Sequence, residues 1–342
     1  MIRYIRPNPP SDFAAASAAA LSALEAHVHT CGGTLGKEKL PFDGEFWRNH
    51  TPAFMRAQHS KCGYCEQSIS NRTRDLEHYA PKAAVTRLPS DGVRAEGEGG
   101  KAVGSAPQLV CRPGYWWLAY SWDNWLVACK DCNQTWKLNL FPLEGDPDAG
   151  DPALVLHEAA PLLLHPLEEP DPEEHLQFGP GGSIQPRENS KRGCATIRTC
   201  GLDRTSLCES RMATMANASM HITLVREARK EQAPDTIGLL LAKLMDDSRP
   251  RVQFAGVTRS LVRDQLDGTS RLEMAEAATA LCRLARKECV ANQLAGWSGA
   301  LDALRSLGMD HVPFHDVVRK VIRRHLGFDW ERITSAPAPA GP

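Results

Sequence analysis

The sequence predicts an α+β chain: a small metal-stapled module of strands and a helix, followed by a mainly α-helical C-terminal part. Three observations predict it. Two C-x-x-C pairs, Cys62/Cys65 and Cys129/Cys132, frame a segment dense in aromatic residues. A Pro-, Gly- and acid-rich stretch then interrupts the chain over 144–186. From Arg187 onward the apolar spacing is helical.

The 342 residues allow two or three domains. Residues 1–45 form an N-terminal segment with a helix over 11–29, capped by Ser11 or Asp12 and carrying Phe13, Leu21, Leu24 and Val28 as its apolar positions. Gly32, Gly33 and Gly36 break it. Gly32–Lys37 does not meet the phosphate-loop pattern, because three residues rather than four separate the first glycine from Gly36-Lys37, and Glu38 follows. The chain is therefore not read as an ATPase. Residues 46–143 form the dense module, with an inserted loop near 88–114 rich in Gly and charge. Tyr115–Trp122 has aromatic strand chemistry. Five of the eight tryptophans lie between Trp116 and Trp136, suited to core packing before base stacking.

Residues 144–186 read as a packed acidic connector, with Leu154–Leu156 and Leu162–Leu164 as candidate short strands. The helical domain, 187–334, has candidate helices at 188–200, 204–230, 235–246, 252–265, 271–291, 297–307 and 313–326, with Asp235 as a cap and Gly308 and Gly327 as stops. The tail 335–342 is expected to be disordered.

Charge is uneven. Residues 1–143 carry 16 basic and 13 acidic side chains, 144–174 carry ten acidic and no basic ones, and 187–332 carry 24 basic and 18 acidic. Two mildly basic parts thus flank an acidic strip, and either can meet a polyanion. Arg319, Lys320, Arg323 and Arg324 share a helical face, with a weaker cluster at Arg283, Arg286 and Lys287; a solvated face is the plainer reading of both. The opening residues lack a signal-peptide pattern, and no apolar run is long enough to cross a bilayer. The expectation is a cytoplasmic chain with no membrane contact.

In the cytoplasm paired cysteines point to metal or redox chemistry rather than disulfides. Four thiolates from two tight turns make a closed tetrahedral zinc site, and no thioredoxin-like context accompanies either pair. The expectation is one structural Zn²⁺ on Cys62, Cys65, Cys129 and Cys132. The other seven cysteines read as small buried hydrophobes.

Two strings between and after the knuckles carry chemistry. In Asp75–Lys82, Glu77 offers an anionic oxygen to a hard cation and His78 an imidazole that takes a proton near neutral pH. In Asp123–Lys137, Asn133 follows the second knuckle at a helix start, where it either supplies a carbonyl oxygen or caps the helix. Each alone is common in structural roles; their order around two knuckles is not.

That order, C-x-x-C, Glu-His, Asp-Asn and C-x-x-C-Asn-x-x-x-Lys, resembles the HNH endonuclease family and its ββα-metal module. The resemblance implies that Glu77 and Asn133 bind a catalytic Mg²⁺ or Mn²⁺, that His78 is the general base, and that Asn124 orients it. Lys137 and Lys82 become possible phosphate contacts, with a solvated helix lysine the alternative for Lys137. Asn133 stands where the commoner pattern has His, which leaves the choice of metal open.

Phe46-Trp47, Lys61–Glu66, Tyr115–Tyr120, Asn139–Leu143 and Thr196–Arg204 with Leu207 and Arg211 extend the likeness to a subgroup. They resemble the PtuB-type HNH subunits of Septu antiphage systems and their retron-associated relatives. The resemblance implies a nucleic-acid substrate, DNA ahead of RNA, and an ABC-like, PtuA-type ATPase partner. Two rival readings stay open: a zinc-containing binding module without catalysis, and a scaffold subunit of a defence complex.

Overall fold

In the computed structural model, residues 1–30, 40–86, 111–144, 161–168 and 172–266 are described. The Gly32–Lys37 segment, most of the inserted loop, Leu154–Leu156, the three last expected helices, both basic clusters and the tail lie outside the described residues. The chain divides into two compact units, Met1–Arg211 and Met212–Pro342.

In the first unit, α1 spans Phe13–Thr30 and α2 Gly44–Ala57. Asp43 caps α2 by accepting from the Glu45 and Phe46 amides, satisfying donors that a helix start leaves free. Strand β1, Arg74–His78, pairs antiparallel with β4, Trp125–Cys129, in a register that sets Glu77 opposite Leu126 and His78 opposite Trp125. Strands β2, Ala84–Thr86, and β3, Cys111–Pro113, pair where the inserted loop leaves and rejoins the module. A π-helix, Asp131–Lys137, follows β4 almost at once. Its wide turn closes with Leu138 N donating to Asn133 O at 2.8 Å. Such turns are rare and concentrate at functional sites.

Tyr115–Trp122 is not a strand. Residues Trp116–Leu118 and Trp122–Asn124 form single 3₁₀ turns. The aromatics satisfy their apolar surface without pairing the backbone. Trp122 and Trp125 pack with Phe13, Phe46, His50 and Phe54, at ring separations from 4.7 to 6.3 Å. Trp125 is fully buried. The tryptophans described at Trp122, Trp125 and Trp136 are therefore core, and Trp116 and Trp117 are half-buried.

Within the connector, Leu163 and Leu164 are fully buried without forming a strand; the short pair is instead β5, Leu176–Phe178, with β6, Ile184–Pro186. Helix α3 spans Lys191–Cys200, capped by Ser190 and ended by Gly201 in the left-handed region at φ 56°. Any Cβ at Gly201 would lie 1.9 Å from Trp136 Cδ2, so the glycine is what lets α3 end against the π-helix. Arg211 is buried in the first unit, donating to Leu202 O and Gly182 O and lying 5.2 Å from the Phe178 ring centroid.

Helix α4 spans Thr205–Lys230. In the second unit follow α5, Pro234–Asp247, and α6, Ala255–Leu266, which pack on each other. Helix α5 starts at Pro234, not after Asp235, because proline's missing N–H and fixed φ suit a first helical position. No described helix is long and apolar enough to cross a membrane.

Candidate metal centre and active site

The first knuckle follows α2. Cys62 N donates to Gln67 O and Glu66 N to Cys62 O, curling Cys62–Cys65 into a tight turn. The second knuckle joins the end of β4 to the π-helix, and Cys132 N donates to Cys129 Sγ at 3.4 Å. The four buried sulfurs lie within 4.8 Å of one another, and Cys65 Sγ is 3.8 Å from Cys129 Sγ. A tetrahedral Zn²⁺ with Zn–S bonds of about 2.3 Å sets its sulfurs about 3.8 Å apart, so the quartet fits that ion. Among the described residues it is the one such cluster of His, Cys, Asp and Glu.

Crowding four thiols in one dry pocket makes them share protons. Burial pushes the Cys62 thiol well up, and hydrogen bonds from neighbouring sulfurs push Cys132 well up while holding Cys65 well down. A bound cation removes this conflict by letting all four ionise. Arg204 supplies a second positive group, its Nη1 3.7 Å from Cys132 Sγ. Burial opposes the Arg204 charge, but Cys132, Cys65 and Cys129 outweigh it and strengthen it. Among the single cysteines, Cys200 is buried as expected, whereas Cys194 and Cys208 are half-buried.

Gln58 locks the first knuckle to β4. Fully buried, it donates from Nε2 to Lys61 O and Val127 O and accepts the Val127 amide on Oε1. Gly63 closes the joint: its amide donates to Val127 O at 2.9 Å, and a Cβ there would lie 2.8 Å from Leu126 Cδ1.

His78 ends β1, and its ring is buried. Nε2 lies 2.9 Å from Ala119 O, so it carries the proton and donates. Nδ1 then keeps a lone pair, and Lys82 Nζ faces it at 3.5 Å. The ring packs edge-on against Trp47, with centroids 5.0 Å apart. Burial first, and Lys82 next, hold the imidazole well below its usual range, against the pull of the Ala119 bond. His78 is therefore neutral near pH 7. Lys82 is itself lowered by burial, and lies over the Trp47 ring at 4.9 Å and the Phe42 ring at 5.6 Å.

The side-chain hydrogen bonds of Asn124 go to the backbone around His78 and not to its ring. Asn124 accepts the Ala80 amide on Oδ1 at 2.8 Å and donates from Nδ2 to Ala80 O and Leu118 O. It thereby ties the chain just after His78 to the chain just before Ala119, whose carbonyl holds the ring.

Glu77 points to the other face of β1, as alternation along a strand requires. Its Oε1 meets Lys137 Nζ at 2.5 Å, and Lys137 also donates to His78 O at 3.1 Å. Burial raises the Glu77 carboxyl, with Lys137 opposing. Lys137 is fully buried. A solvated lysine does not describe its place, because its position on the π-helix turns it inward onto Glu77. Asn133 is not a cap: the residue before the π-helix, Lys130, makes no side-chain cap, and Asn133 Nδ2 donates to Asp75 Oδ2 at 3.1 Å. Gln134 joins it on the same oxygen at 2.7 Å. Asp75 and Glu77 share one face of β1, so the π-helix lies along both carboxylates. The hard oxygens of Glu77 and Asn133 are of the type Mg²⁺ and Mn²⁺ take, with Lys137 now against Glu77.

Sequence reasoning did not assign Gln58, Arg204, Asp75 or Trp47 to the site. Asp75 lies in the Asp75–Lys82 string, and Trp47 and Arg204 in segments that carry the family likeness, whereas Gln58 carries no signal.

Fold and site define a protein in which four buried cysteines are placed to hold a metal ion, beside two antiparallel strands and a following helix that surround a buried Glu-His pair. The chain is 35% identical over 175 residues to the Septu protein PtuB of Bacillus mycoides (strain KBAB4), a match that covers 51% of this chain and 53% of that protein. It thus spans about half the length of the curated relative it matches. No family profile matches the chain, and no solved structure matches it.

Proposed function

We propose that this chain is a metal-dependent HNH endonuclease that hydrolyses phosphodiester bonds of nucleic acid, DNA ahead of RNA, as the effector of an antiphage defence system beside an ABC-like ATPase. The observation that carries the reading is the state of His78: buried, neutral, held from Nε2 by Ala119 O, and left with a lone pair on Nδ1. The likeness to a Septu protein supports the setting.

His78 Nδ1 takes the proton of the water that attacks phosphorus, and the Ala119 carbonyl steadies the imidazolium that forms. Lys82, beside Nδ1, receives the scissile phosphate there. Asn124 keeps the ring's two anchors in register. Glu77 and Asn133 are the residues that would hold Mg²⁺ or Mn²⁺, an ion whose charge would offset that growing on the phosphate and the leaving oxygen. The cysteine site is closed by four sulfurs and holds the junction of β4 and the π-helix against the turn after α2; it takes no part in the chemistry.

One observation favours a second reading, a catalytically silent zinc-containing subunit: Lys137 occupies the cation position at Glu77. A phage-protection assay separates the two. Under the nuclease reading, His78→Ala abolishes protection while the folded protein accumulates normally. Full protection by that variant defeats it.

A further inference from the structure

Glu77 already holds a cation. Its Oε1 lies 2.5 Å from Lys137 Nζ, with side chains 5% and 0% exposed. The contact is a short, charge-assisted one, and the same ammonium also donates to His78 O at 3.1 Å. A divalent ion on that oxygen would lie about 2.1 Å away. Such an ion and an ammonium cannot both sit against one buried oxygen without strong repulsion at low dielectric. The part free to leave is the lysine: its charge rides on a flexible four-carbon stem at the last residue of the π-helix, just before Leu138 turns into the left-handed region at φ 48°.

We propose that Lys137 is the resident counter-cation of Glu77, and that a divalent ion binds this site only by displacing it. The resting protein is thus held in a metal-poor state by its own side chain. The proposal rests on the reading that Glu77 is a metal ligand. Metal binding and polyanion binding are coupled in consequence: the ammonium that leaves Glu77 is then free for a phosphate, and a phosphate that draws it away opens Glu77 to the ion.

The test is a Mn²⁺ titration of the full zinc-loaded chain, followed by the electron paramagnetic resonance signal of free Mn²⁺. Wild type is compared with Lys137→Met, Lys137→Gln, Lys137→Arg and the double variant Lys137→Met/Glu77→Gln. Removing the ammonium leaves a buried carboxylate without a partner, so Lys137→Met and Lys137→Gln bind one Mn²⁺ at least about tenfold more tightly than wild type. Lys137→Arg, whose charge is kept, binds no more tightly than wild type. The double variant loses the gain. Equal or weaker Mn²⁺ binding in Lys137→Met and Lys137→Gln overturns the displacement but leaves Glu77 as a ligand. No saturable binding in any single variant overturns both. If neither neutral variant folds, Lys137→Arg with Mn²⁺ affinity above wild type overturns the proposal, and affinity below wild type supports it.

Discussion

Replacing Asn124 with alanine removes three hydrogen bonds at 2.8, 3.0 and 3.1 Å and leaves the buried Ala80 amide without a partner. A net loss of roughly 1 kcal/mol per bond, with part of the desolvation cost of that amide added, gives about 3–4 kcal/mol. For a unit of this size each kcal/mol lowers Tm by about 2–4 °C, so the zinc-loaded variant melts about 6–16 °C below wild type. The bonds also join Ala80 to Leu118, the neighbours of the two points that fix His78. A shift of about 1 Å in a reacting group costs on the order of 10²-fold in rate. Thermal unfolding by circular dichroism and single-turnover cleavage, read on the same preparation, measure both effects. A Tm within 2 °C of wild type, or full cleavage at the lower Tm, would refute the positioning argument; the threshold of about 2 °C is the effect of a single lost bond.

Other predictions follow from the same geometry. Arg204→Ala removes the guanidinium from Cys132 Sγ and lowers zinc affinity by about 10–100-fold, read by competition with a chromogenic chelator; unchanged affinity contradicts the role given to Arg204. His165 is held down to about 3, by burial and then by Arg6, so the folded state excludes a proton that the unfolded chain binds below about 6.5. Stability is therefore present above about pH 6.5 and lost as pH falls towards 3, with a slope of up to about 1.4 kcal/mol per pH unit from this group. Denaturant midpoints of His165→Gln should fall less steeply between pH 6 and 4 than those of wild type, and parallel curves would contradict it.

What the sequence made legible was local. The C-x-x-C spacing curls each cysteine pair into one turn, so the quartet could be read from two short strings. That Glu77 and His78 face opposite ways was not read from the sequence; it follows from alternation once β1 and its pairing with β4 are known. What stayed hidden depends on contacts far apart in the chain. Gln58 meets Val127 across 69 residues, and no feature of its neighbours marks it as a bridge. Lys137 has the spacing of a solvated helix lysine; only the π-helical turn and the neighbouring strand turn it onto Glu77. Tyr115–Trp122 has strand composition because large aromatics favour buried surface in any conformation. Here 3₁₀ turns expose the Ala119 carbonyl to His78 and Trp125 Nε1, which a paired strand would have used for its own ladder.

The central claim is that His78 Nδ1 is the base of a zinc-stapled nuclease. It is tested most directly by single-turnover cleavage of labelled DNA and RNA in Mg²⁺, Mn²⁺ or EDTA, with and without the ATPase partner, for wild type and His78→Ala at equal zinc content. The account predicts divalent-dependent cleavage that falls by about 10²–10⁴-fold in the variant while fold and zinc are retained. Cleavage at the wild-type rate by a zinc-loaded His78→Ala protein would contradict it.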